Sequence, residues 1–234
     1  DRAQSVGIQA DGKIVVGGGG SVNSVSAMVR YNPDGGLDSS FDGDGKLPEI
    51  FGHPSLVNAI SIQADGKILV AGSGPDGSSI ARLNSNGSLD NSFNGDGKLT
   101  ILFGTSFDAA SAMIIQTDGR ILIAGDSYNG NAYDFVMARL NTDGSFDNSF
   151  DEDGKLTFAV GSAYRINSSI VVQSDGRIVS SFNSSLVNTD NNIYSLLEKA
   201  ILLRYNTDGS LDHSFGNDGK VVTTDAPGIK EYIA

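Results

Sequence analysis

The sequence predicts an all-β fold, a β-propeller built from four-stranded antiparallel blades with four repeat units in the chain. Three observations lead there. A motif centred on an Asp-Gly turn recurs four times, 53 to 57 residues apart. A second turn-rich motif follows each copy at a similar offset. The composition, 30 Gly and 5 Pro in 234 residues with abundant Asn, Asp and Ser, suits many short strands joined by tight turns. A unit of about 55 residues with four strands is the size of a propeller blade, and such a sheet must stack on neighbours to cover both its faces.

The first motif reads Gln9-Ala10-Asp11-Gly12-Lys13-Ile14, then recurs from Gln63, Gln116 and Gln173. Asp-Gly between two apolar runs predicts a hairpin whose two turn residues both take positive φ. In the second unit it makes residues 57–63 and 67–72 antiparallel neighbours. The second motif begins at Arg30, Arg82, Arg139 and Arg204, and its fullest copy runs from Ala81 to Lys98. Residues 79–84 and 98–103 supply the third and fourth strands, with a loop over 86–97 between them. Leu89 and Phe93 recur as Leu37/Phe41, Phe146/Phe150 and Leu211/Phe215, apolar plugs that pin this loop to the sheet.

These residues resemble the delta-60 repeat of bacterial exported proteins, whose units read similarly to Gln-x-Asp-Gly-Lys-Ile followed by Arg-Tyr-Asn-x-Asp-Gly-Ser-Leu-Asp-x-Ser-Phe. Residues 204–220 match the second half almost without gaps. The resemblance covers nearly the whole chain. It implies a propeller-like fold in a large surface or secreted protein, and it implies no activity.

The chain is expected to form a single repeat domain over 1–234, with units at about 1–46, 47–98, 99–155 and 156–220. Residues 1–8 read as half of a strand pair, and 221–234 as a tail able to complete it and close the ring. The alternatives are an arc of a larger ring, continued by further repeat units, or half of one completed by a second copy. The start at Asp1, without Met or a signal-peptide pattern, is that expected of a processed or excised piece.

The net charge of −12 disfavours nucleic acid and anionic membrane surfaces, both of which demand Lys/Arg patches. No run of eighteen apolar residues predicts membrane insertion, and the absence of cysteine removes thiolate chemistry. Asp42-Gly43-Asp44-Gly45 and Asp151-Glu152-Asp153-Gly154 resemble fragments of an oxygen-rich Ca²⁺ loop, with Asp38 or Asp147 as a third carboxylate. Against Ca²⁺, an Asp before Gly caps its own turn without metal, and no bidentate Glu follows.

A residue needed once per unit is normally architectural. Arg30, Arg82, Arg139 and Arg204, each eight residues before an Asp, are therefore expected to tie strand to loop as guanidinium–carboxylate forks. The recurring Gln9, Gln63, Gln116 and Gln173 are expected to satisfy backbone groups near the hairpin. His213 reads as a surface turn residue, and His53 falls in a connecting loop. No nucleophile elbow, zinc helix or phosphate loop is present, so no catalytic residue is assigned.

Function is expected where the repeat breaks. The third unit carries Tyr128, Asn129, Tyr133 and Asp134 in an irregular loop. The fourth has an insertion over 183–199 that includes Asn188, Asp190, Asn192 and Tyr194. Asn, Asp and Tyr together can hydrogen-bond hydroxyls and stack on sugar faces; a variable solvated loop is the plainer account. The expected function is a non-catalytic extracellular or cell-surface scaffold that binds protein or glycan at these loops or spaces other domains. The alternatives are a lectin-like propeller, with or without Ca²⁺, and a hydrolase with a carboxylate pair at the ring mouth.

Overall fold

The computed structural model describes residues 2–19, 26–51, 55–74, 76–104, 108–160, 168–188 and 195–224, with only the backbone of 184–188, 195–199 and 224. All regular structure in them is β-strand. The first unit holds β1 (Arg2–Ile8), β2 (Ile14–Gly19), β3 (Ser26–Tyr31) and β4 (Lys46–Pro48). The second holds β5 (Leu56–Ile62), β6 (Ile68–Gly74), β7 (Gly77–Leu83) and β8 (Lys98–Ile101). The third holds β9 (Asp108–Ile115), β10 (Ile121–Tyr128), β11 (Tyr133–Leu140) and β12 (Lys155–Phe158). The fourth holds β13 (Ser168–Val172), β14 (Ile178–Asn188), β15 (Ser195–Tyr205) and β16 (Lys220–Thr224).

Within each unit the strands pair antiparallel in chain order, and one bridge, Ser73 to Ala109, joins the sheets of the second and third units. No helix among the described residues is long and apolar enough to cross a membrane.

The repeated turn forms as a hairpin, but not with both residues at positive φ. Gly12 takes φ 83° while Asp11 stays in the ordinary region, and the Gly12 N–H donates to the Gln9 carbonyl at 2.9 Å. This is a three-residue-class turn with a bulged glycine. It prevails because Asp11 Oδ1 accepts the Lys13 N–H at 3.2 Å, and an Asp held in that way keeps its own φ negative. Asp65, Asp118 and Asp175 repeat the bond at 3.0 to 3.1 Å.

In the first three units a β-bulge breaks the register of the innermost strand. The chain needs glycine opposite it: a Cβ on Gly18, Gly72 or Gly125 would run into the carbonyl oxygen of Arg2, Leu56 or Ala109. The fourth unit has Phe182 at this position, its strands pair without a register shift, and the Phe182 ring stacks on Phe135 at 5.1 Å.

Units stack face to face, and the buried cores lie in the three joints between them. The first joint packs Val15, Met28 and Phe41 of one unit against Val57, Val70 and Leu83 of the next. The second sets Leu69, Ile80 and Phe93 against Ile121, Ile123 and Leu140. The third sets Leu122, Met137 and Phe150 against Ile178, Leu203 and Tyr205. Each unit thus has a forward face carrying the plug phenylalanine and a rear face that receives its predecessor. Strand packing runs β1 to β5, β5 to β9 and β9 to β13, and no comparable packing links the fourth unit to the first among the described residues. The tail expected to pair with 1–8 continues over 225–234, outside the described residues.

Candidate functional site

The recurring polar residues form a latch at each joint. Arg82 Nε donates to Asp90 Oδ2 at 2.6 Å and its Nη2 to Ser92 Oγ at 3.0 Å. Its Nη1 crosses to the next unit and donates to the Thr142 carbonyl. The guanidinium also lies 4.8 Å over the Phe93 ring, so one side chain holds strand, loop, plug and neighbour together. Arg30 and Arg139 make the same contacts, crossing to the carbonyls of Ser85 and Thr207. Beside them, the N–H groups of Asp42, Asn94 and Asp151 donate to the carbonyls of Asn86, Asp143 and Asp208 at 2.7 to 2.9 Å.

The latch aspartates are held ionised. The Ser40 hydroxyl is the largest influence lowering Asp38, and the Lys13 ammonium, 3.1 Å away, and Arg30 add to it. Burial pushes Asp90 and Asp147 up, but hydrogen bonds from Ser92 and Ser149 and the adjacent cations outweigh it and lower both. Ser214 leads the effects that bring Asp212 to about 2. Arg30, Arg82 and Arg139 and their aspartates are thus bonded within the protein, while Arg204, paired with Asp212, is 20% exposed.

Gln9 Nε2 reaches the Gly66 carbonyl of the next unit at 3.3 Å, while its Oε1 accepts from Arg30. The equivalent Oε1 atoms of Gln63 and Gln116 are buried without a hydrogen-bond partner among the described residues. Gln116 lines a cleft of ≈ 1140 Å³ between the third and fourth units, with Arg120, Gln173 and Asp175.

The carboxylates that resemble fragments of a Ca²⁺ loop make turn and joint contacts. Asp44 and Asp153 each accept the N–H two residues on, at 2.9 Å, as Asp96 does in the second unit. Asp42 and Asp151 take φ 50° and 47° and spend their N–H groups on the joint. Asp38 and Asp147 are committed to arginine. Among the described residues no three His, Cys, Asp or Glu side chains come together to hold a metal. Burial and the neighbouring Asp153, Glu152 and Asp208 raise Asp151, the mark of crowded acids without a compensating cation.

The non-repeating residues gather at one end of the third unit. Strands β10 and β11 run to Tyr128 and Tyr133, whose rings sit 5.2 Å apart at 49°. Asn129 ties the tip together: its Oδ1 accepts the N–H groups of Asn131 and Ala132, and its Nδ2 donates to Asp134 Oδ2 at 2.8 Å. Asp134 Oδ1 accepts the Val160 N–H at 3.2 Å. Asn129, exposed, and Asp134, buried, therefore spend hydrogen bonds on the protein itself, and the two tyrosines are half-buried.

The register places Ser127 between Asp108 on β9 and Asp134 on β11, so two carboxylates flank one serine on a single row. Asp108 is 1% exposed; its Oδ2 accepts the Phe103 N–H at 2.7 Å, and its Oδ1 is buried without a partner among the described residues. Sequence reasoning missed Asp108. The signal was its departure from the repeat, since Ser55 holds that place in the second unit and Gly77 holds that of Asp134.

The insertion of the fourth unit lengthens β14 and β15 into an eleven-residue hairpin rather than forming a loop, with Asn188 paired to Ser195 at its end. Asp190, Asn192 and Tyr194 lie outside the described residues, as does the side chain of Asn188. His53 also falls outside them, and His213 is an exposed turn residue 2.6 Å from Asp218.

The chain's fold is shared with solved structures. One is a protein of unknown function from Dyadobacter fermentans, with TM-score 0.55 and 15% identity over 90% of this chain and 67% of that one. Another is an ulvan lyase of polysaccharide lyase family PL25, with TM-score 0.54 and 12% identity over 88% of this chain. A glycoside hydrolase aligns with TM-score 0.50 and 11% identity over 97% of this chain. The chain spans only 53% and 52% of these two enzymes. Among curated proteins none matches the sequence. The family described as a domain of unknown function (DUF5122) beta-propeller matches residues 9–41, 63–93, 116–150 and 199–215. The first three segments carry both recurring motifs and the fourth carries the second, from which the latches are built, so the match is to a β-propeller repeat family.

Proposed function

We propose that the chain is a non-catalytic repeat scaffold of the delta-60 kind, made of four-stranded blades and working outside the cell or on its surface. One observation carries this reading: the charged residues that recur in every unit, and the carboxylates beside Ser127, each make hydrogen bonds within the protein. Three Arg–Asp pairs are consumed by latches between units and the fourth, Arg204–Asp212, is bonded within its own unit, while Asp108 and Asp134 are buried and accept hydrogen bonds from backbone and Asn129. A glycosidase needs two carboxylates a fixed distance apart and open to sugar, and the buried pair beside Ser127 is not open.

The binding surface in this reading is the tip of the β10–β11 hairpin, where Tyr128 and Tyr133 stand together and Asn129 makes the tip rigid. A fixed tyrosine pair suits stacking on a sugar or a protein partner at low entropic cost. That two of the similar folds belong to a polysaccharide lyase and a glycoside hydrolase favours glycan as the first class to try. The test is a glycan array read with and without chelator, beside hydrolysis and lyase assays on the bound glycans. Binding that is chelator-insensitive and lost in Tyr133→Ala supports the reading. Turnover lost in Asp108→Asn would replace it with the enzyme.

A further inference from the structure

Three joints in the chain are built alike, and each end carries half of a fourth. At the forward face of the last unit, Arg204 keeps its bond to Asp212 at 2.7 Å and lies 4.6 Å over Phe215. Its Nη1, however, has no carbonyl to cross to among the described residues. Its side chain is 20% exposed, against 3 to 6% in the three completed latches. Phe215 is half-buried where Phe41, Phe93 and Phe150 are fully buried. Gly216 keeps φ 59°, the conformation in which Asp42, Asn94 and Asp151 present their N–H groups to the following unit.

The rear face of the first unit lacks what the last one offers. Gly87, Gly144 and Gly209 are buried under a plug phenylalanine of the preceding unit, whereas Gly35 is exposed and meets nothing. Val6 is 62% exposed where its counterparts Met113 and Ile170 are 8% and 4%. Ile8, at 70%, and Leu37, at 45%, complete an apolar rear face; on the forward side Val171 is 55% exposed. Two surfaces of this kind, each the complement of the other, make a heterologous interface, which closes a ring or grows an open chain of copies.

The geometry points to a second copy of this chain as the occupant. The forward face of the fourth unit seats the rear face of the first unit of another molecule, through the same Arg–carbonyl and Phe–Gly contacts that hold the internal joints. Arg204 Nη1 would take the Pro33 carbonyl, the counterpart of Ser85, Thr142 and Thr207. The Phe215 ring would cover Gly35. Among the described residues the stacking runs from the first unit to the fourth without returning, and each end face offers what the other end of a second copy would take.

The experiment is mass measurement by light scattering and sedimentation over a concentration series, on the wild type, Ile8→Glu and Val171→Glu. Both substitutions fall on exposed side chains, so the monomer keeps its fold, which an unchanged melting midpoint verifies. The wild type associates, and each variant alone associates about tenfold more weakly or worse. An equimolar mixture of the two variants regains association, because one supplies an intact forward face and the other an intact rear face. A wild type that is monomeric at every concentration, or a mixture no stronger than its parts, overturns the proposal.

Discussion

Phe93 and Gly144 meet across the joint between the second and third units, so closely that a Cβ at Gly144 would lie 2.8 Å from the ring. Gly144 also has φ 90°, so the position excludes a side chain twice over. Gly144→Ala is expected to cost about 3 kcal/mol, from backbone strain and overpacking together. Gly130 has φ 97° with open space around it, and Gly130→Ala should cost only about 1 kcal/mol. Urea unfolding of both variants measures the difference, and equal losses would mean that the Phe–Gly contact contributes nothing.

The latch gives a second contrast. Asp90→Asn leaves the Arg82 guanidinium, 6% exposed, beside a neutral amide, and should destabilise by about 3 kcal/mol. Asp65 lies 57% exposed with Lys67 at 3.8 Å, and Asp65→Asn should stay within about 0.5 kcal/mol of wild type. Denaturant midpoints compared at constant slope are the measurement.

The same aspartates set the response to acid. A carboxylate whose folded pKa is depressed adds stability that is fully present above its unfolded value, near 3.8, and is lost as pH falls through its folded value. Asp38, Asp90 and Asp147 are lowered as well, and Asp212 reaches about 2. Stability should therefore be flat from neutral pH to about 4 and fall steeply between about pH 4 and 2. Thermal melts across that range check it. In Asp90→Asn the fall should be shallower, because one of the titrating groups is gone.

What could be read from the sequence follows from the range of each interaction. The eight-residue spacing of Arg82 and Asp90 is local and repeated, so their fork was legible. That Arg82 also reaches Thr142 was not, because the partner lies in another unit, 60 residues away. The Asp-Gly hairpins were legible, but their turn type was decided by the Asp11 side chain bonding Lys13, a detail the dipeptide does not carry. Tyr128, Asn129, Tyr133 and Asp134 read as an irregular loop, yet Tyr128 ends β10 and Tyr133 and Asp134 open β11. The short tip between them leaves the N–H groups of Asn131 and Ala132 to donate to the exposed Asn129 side chain. The fourth unit's insertion extends its strands in one unbroken register, from Ile178 opposite Tyr205 to Asn188 opposite Ser195, a long-range pairing that the local sequence does not state.

Gly72 supplies the last prediction, since it tests whether the bulge of the inner strand and the glycine opposite it form one device. The Leu56 carbonyl occupies the space a Cβ would need, and it is backbone, so it cannot rotate away. Gly72→Ala must either expel β5 from its pairing or shift the bulge between Val57 and Ala59. Both routes disturb Val57, which is fully buried in the first joint. A loss of about 4 kcal/mol or more is expected, beyond the usual range for a single methyl group. In the fourth unit, where the strands pair without a bulge, the tolerance is reversed. Phe182 is buried against Phe135 there, and Phe182→Ala should cost about 3 to 5 kcal/mol as a cavity. Hydrogen exchange separates the two failures. Gly72→Ala should speed exchange along β5 and β6, and Phe182→Ala along β13 and β14, because each strand pair depends on what stands at this one position.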